Sequence, residues 1–116
     1  MADERRAHPR LKAYFPVRFY PAHSTRVVET LTKDLAVGGC RSLSVTVLPV
    51  ASEVRVELVL PGGREPITVR GRAVWFRSIP ESEQFDIGIV FSDLSEADKR
   101  RLSVCLQDAS THTSLV

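Results

Sequence analysis

The apolar positions of this chain change period once. From Tyr14 to Phe91 they alternate with polar residues or gather in short β-branched runs. After Ser95 they recur at helical spacing. Tyr14–Tyr20 (YFPVRFY) reads as a first strand, with Pro16 suiting an edge or a bulge. Arg26–Leu35 (RVVETLTKDL) reads as a second, broken by Gly38-Gly39. Cys40–Val47 returns as a third and stops before Pro49. Glu53–Leu60 (EVRVELVL) alternates charge and aliphatic at period two, a strand with one wet face. Pro61-Gly62-Gly63 is a hairpin signal, Pro66–Arg77 a long fifth strand and Gln84–Phe91 a sixth. On the fifth, alternation puts Arg70 and Arg72 on one face and Arg77 on the other.

Ser95 then has the chemistry of a helix N-cap, with Asp98 three residues on. A helix from there to about Gln107 aligns Leu102, Cys105 and Leu106 on one side. Six short strands at close spacing favour a sandwich or a small barrel, with one terminal helix plugging or flanking it. No internal repeat or low-complexity tract interrupts the pattern.

Length and composition fit one soluble domain: 116 residues, 43% apolar and 26% charged. A net charge of +2 is too small to hold nucleic acid by bulk attraction. No apolar run approaches the roughly 20 residues that span a membrane. The start is polar and has no signal-peptide core. Cys40 and Cys105 lack metal-ligand spacing and read as buried thiols, which suits a reducing cytoplasm. His8, His23 and His112 form no metal pattern with them. No nucleophile elbow or phosphate loop appears, so nothing points to an enzyme.

Two clusters carry chemistry. The first is Arg5-Arg6-Ala7-His8-Pro9-Arg10, with R-x-x-x-R spacing at Arg6 and Arg10. Read alone, it is a solvated arm. Read as a site, it is a pair of forks whose planar donors match phosphate oxygens and the guanine O6/N7 edge. Pro9 disfavours helix at His8, so the pair sits on an extended arm. The second cluster is Asp34-Leu35-Ala36-Val37-Gly38-Gly39. Read alone, it is hairpin punctuation. Read as a site, Asp34 accepts from guanine N–H groups, and Gly38 and Gly39 let the backbone come close to a flat ligand.

The arginine pair followed by a D-x-A-x-x-G turn resembles the PilZ domain family. The stretch Gly71-Arg72-Ala73-Val74-Trp75 is similar to its G-x-x-x-W strand, and Ile87-Gly88-Ile89-Val90-Phe91 to its closing G-x-x-F strand. The likeness covers about residues 4–107. It implies a six-stranded antiparallel β-barrel with one C-terminal helix. It also implies cyclic di-GMP as ligand, bound by Arg5, Arg6, Arg10, Asp34, Ala36, Gly38 and Gly39. It further implies an arm that is loose without ligand and wraps over it when bound, so that arm order and occupancy are linked. The expected layout is a 1–12 arginine-rich arm, a barrel plus helix over 13–107 and a disordered 108–116 tail.

The sequence departs from the family at Ala36, where the pattern has serine. One neutral hydrogen bond contributes about 0.5–1.5 kcal/mol, so its loss weakens binding roughly 2- to 13-fold without abolishing it. The expected function is a cytoplasmic cyclic di-GMP sensor that signals in trans to an unidentified protein partner. It is expected to be a monomer that uses no cofactor and binds neither nucleic acid nor membrane. The alternative is a degenerate adaptor of the same fold that works by protein contact, with nucleotide bound weakly or not at all. Ala36 feeds that alternative, whereas Arg6, Arg10, Asp34 and Gly39 oppose it.

Overall fold

A computed structural model describes residues 14–62 and 64–114, with side chains as far as Asp108. The residues of the arginine arm, Arg5, Arg6 and Arg10 among them, lie outside the described residues. Six strands close into one antiparallel barrel: β1 (Pro16–Pro21), β2 (Val28–Ala36), β3 (Gly39–Ser44), β4 (Glu53–Leu58), β5 (Ile67–Ser78) and β6 (Phe85–Phe91). The order around the barrel is β1-β2-β3-β6-β5-β4, and β4 pairs back onto β1. Closure removes the edges that a flat six-stranded sheet would leave open to other chains. Pro16 sits first in its strand, where its missing N–H costs least.

The interior takes the apolar half of each alternation. Val17 and Phe19 meet Val54, Val56 and Leu58 across β1 and β4, while Ile67, Val69, Ala73, Ile87 and Ile89 line the opposite wall. Thr32 and Ser42 are also fully buried and face one another across β2 and β3. One end of the core is covered by helix α1 (Glu96–Ser114), which buries Leu102, Cys105 and Leu106. The Ser95 hydroxyl accepts the Asp98 N–H at 3.1 Å, so the expected cap forms.

Two boundaries differ from the sequence reading. The helix runs past Gln107 to Ser114, so the tail expected to be disordered from Asp108 is helical over most of its length. Residues 108–114 have no apolar face to signal a helix, but they contain no Gly or Pro to stop one. The second difference concerns Arg77. The β5–β6 register shifts between Ala73 and Trp75, so Val74 is an extra residue. The bulge inverts the alternation beyond it, and Arg77 pairs with Asp86 on the outer wall, the face that Arg70 and Arg72 also share.

Candidate functional site

The turn Val37-Gly38 joins β2 to β3, closed by Ala36 opposite Gly39. Counting back from it, Leu35 faces Cys40 inside the barrel and Asp34 faces Arg41 outside. Asp34 would point inward if β2 were regular. A register shift between Thr32 and Asp34 makes Lys33 an extra residue, so Lys33 and Asp34 both leave the core. The Arg41 Nε lies 2.9 Å from Asp34 Oδ2. That contact is an ion pair whose angle falls outside hydrogen-bond geometry, and Arg41 Nε has no hydrogen-bond partner.

Beside this pair lies a second charged group. Asp86 on β6 is 4% exposed at its side chain, an uncommon setting for a carboxylate. Its Oδ1 accepts from Lys33 Nζ at 2.8 Å and its Oδ2 from Arg77 at 3.0 Å. Burial pushes the Asp86 carboxyl up. Hydrogen bonds from Lys33 and Arg77, and the nearby charge of Arg41, outweigh that and leave it below the ordinary carboxylate value. The outer wall of β2, β3, β6 and β5 therefore carries Lys33, Asp34, Arg41, Asp86 and Arg77 as one connected set.

Glycines let these strands come together. A Cβ on Gly39 would collide with the Ile89 carbonyl of β6, so the gap that this glycine leaves is filled by a neighbouring strand. A Cβ on Gly88 would overlap the Trp75 indole, which lies across it. Gly71 is likewise crowded, its Cβ position 2.9 Å from the Val90 carbonyl. The two glycine-containing strand motifs are thus close-packing motifs, and Trp75 is part of the barrel wall. Gly38 is exposed at the turn tip, and its carbonyl accepts the Phe91 N–H at 2.9 Å. It borders a cleft of about 300 Å3 lined by Val37, Phe91, Ser92, Asp93, Leu94 and Lys99. A groove of about 450 Å3 lies elsewhere, where β2 and β3 part between Val27 and Val45. It holds none of the residues singled out in the sequence.

Asp34, Ala36, Gly38 and Gly39 come together at one hairpin as the spacing predicts. Ala36 is 5% exposed and, two residues from Asp34, shares its side of the strand. The backbone also ties this hairpin to the root of the arm. The Phe15 N–H donates to Thr32 Oγ1 at 2.9 Å, and the Thr32 N–H returns to the Phe15 carbonyl at 2.9 Å. Thr32 is two residues from Asp34. Lys33, Arg41 and Asp86 escape sequence reading. Only Arg41 had a signal, since a two-residue turn at Val37-Gly38 places position 41 opposite 34.

No group of His, Cys, Asp and Glu among the described residues could hold a metal ion. No helix among them is long and apolar enough to cross a membrane.

A closed six-stranded antiparallel barrel with a charged outer wall beside a glycine hairpin, and one C-terminal helix, defines a small β-barrel domain class. The chain belongs to the PilZ domain family, whose model matches residues 4–108. Solved structures agree on the fold. The PilZ domain with c-di-GMP of YcgR from Escherichia coli superposes with a TM-score of 0.71 at 15% identity, covering 97% of this chain and 99% of that one. The inhibitor of motility MotI/DgrA of Bacillus subtilis gives 0.78 at 18% identity, covering 92% of this chain and 52% of that one. The MrkH–c-di-GMP complex of K. pneumonia gives 0.76 at 22%, covering 95% and 53%. The chain thus spans about half the length of MotI/DgrA and of MrkH. No curated protein sequence matches it.

Proposed function

We propose that this PilZ domain is a cyclic di-GMP receptor module that reports occupancy to a partner protein in trans. The observation that carries the reading is the tether between Phe15 and Thr32. It fixes the root of the arm two residues from Asp34 on the same strand. Arg10 precedes Phe15 by five residues, so its Cα stays within about 17 Å of that root whatever path the chain takes. That bound supports a reading in which Arg10 and Asp34 meet a single dinucleotide. Arg6 and Arg10 supply forked donors for phosphate and for the guanine O6/N7 edge, with Arg5 adding a stacking or phosphate contact. Asp34 accepts from the guanine N–H groups, and exposed Gly38 offers a turn that a flat base can approach. Solved relatives hold c-di-GMP on the same fold, which supports this choice of ligand.

The chemistry proposed is binding, with no bond made or broken, and the two buried thiols suit a cytoplasmic setting. Isothermal titration with cyclic di-GMP tests the reading. Saturable heat in the wild type, lost in Arg10→Ala, is the expected result. In a parallel NMR titration, amides of 34–39 shift with those of 6–10. No heat at millimolar ligand would overturn the reading and leave the adaptor alternative, in which the same barrel works by protein contact.

A further inference from the structure

Two β-bulges act on the same patch of the barrel. The one in β2 turns both Lys33 and Asp34 out of the core. The one at Val74 in β5 turns Arg77 out to meet Asp86. Bulges are a common way to re-aim side chains beside a binding site. Here they gather cations from two non-adjacent strands around one carboxylate.

Asp86 is the anchor. Its two oxygens are divided between Lys33 and Arg77, and Arg41 stands close enough to feel its charge. Lys33, Arg41 and Arg77 share the wall with two carboxylates, Asp86 and Asp34, which leaves an excess of one positive charge. The Arg77 side chain is 68% exposed although one of its nitrogens is pinned. An arginine has five N–H donors, so most of its fork points to solvent already oriented. Lys33 has three donors and gives one to Asp86.

We infer that Lys33 and Arg77, gathered by Asp86, form with Arg41 beside them a wall subsite for a phosphodiester anion. The inference rests on the reading above and extends it. A cyclic dinucleotide has two phosphates, and the arm arginines account for one. The wall takes the other, with Arg77 as its directly contacting fork and Lys33 supporting. Arg41 has two duties, steadying Asp34 and adding charge to the subsite. Asp86 is a positioning residue that touches cations only.

This assignment makes a result expected that simple attraction does not. Asp86→Asn raises the net positive charge of the wall by one. If long-range attraction governed binding, affinity for cyclic di-GMP would rise. If Asp86 orients the cations, affinity falls. The experiment is isothermal titration of the full chain with cyclic di-GMP at two ionic strengths, for wild type, Arg77→Gln and Asp86→Asn. Arg77→Gln is expected to weaken binding about tenfold, the loss of one charge-assisted contact. Its affinity should also depend less on salt. Asp86→Asn is expected to weaken binding as well. Wild-type affinity in Arg77→Gln, or tighter binding in Asp86→Asn, overturns the subsite. If Asp86→Asn fails to fold, Arg77→Gln decides alone. If the wild type takes no cyclic di-GMP, inorganic pyrophosphate separates the two ideas. Saturable NMR shifts at Lys33 and Arg77 would keep the anion subsite while the receptor reading falls, and no shifts would end both.

Discussion

Ala36 is where this chain departs from its family, and the structure gives the departure a shape. Its methyl lies on the same side of β2 as Asp34 and is almost fully covered. A serine there adds one hydroxyl with little change of volume, on the side of β2 where the proposed ligand would lie. Ala36→Ser is therefore expected to tighten cyclic di-GMP binding by roughly 2- to 13-fold, read by titration calorimetry. A loss of affinity would place the ligand elsewhere. Asp86 also sets a pH dependence. Its folded carboxyl titrates below the unfolded one. The unfolded state therefore binds the proton first on acidification, and the stabilisation is complete above the unfolded value of about 3.9. It fades as pH falls below that toward the depressed folded value. Thermal melts between pH 6 and about pH 3 should show wild type losing stability more steeply at the acid end than Asp86→Asn.

At the scale of elements, the barrel depends on close approach between strands and on a helix that caps its end. Gly39 lets β3 sit against the Ile89 carbonyl of β6. Gly39→Ala forces those backbones apart and is expected to cost about 1–3 kcal/mol, measured by denaturant midpoint. The helix contributes through few side chains, and Leu102 at 1% exposure is the most deeply placed of them. Leu102→Ala is expected to cost about 2–5 kcal/mol, since it leaves a cavity under the helix. The limits of sequence reading also lie at this scale. Alternation along Glu53–Leu58 fixes inside and outside with no further information, and β4 follows it without exception. The same rule fails on β5, because one extra residue at Val74 inverts every side chain beyond it. Nothing local marks Val74 as that residue. Whether a strand bulges is settled by its partners' hydrogen bonds, so simple alternation misplaces Arg77 and does not bring Lys33 to the wall.

At the scale of the molecule, every strand among the described residues lies between Pro16 and Phe91. Removal of residues 1–12 is accordingly expected to leave the thermal midpoint within a few degrees of wild type while abolishing cyclic di-GMP binding. The wall subsite alone lacks the forks of Arg6 and Arg10. A truncated chain that still bound tightly would shift the weight of recognition from the arm to the barrel.

The order of strands and helix, the residues that form the core, and the hairpin holding Asp34, Ala36, Gly38 and Gly39 were all set by local pattern. Each depends on alternation, turn chemistry or a cap, and these act over a few neighbouring residues. The tertiary structure alone decided which way the side chains beyond a bulge face. It likewise decided that Asp34 meets Arg41, and that Lys33 and Arg77 share one carboxylate across strands 53 and 9 residues apart in sequence from their partner. Those facts require the barrel to close, because pairing between distant strands fixes register, and register fixes what each charge can touch.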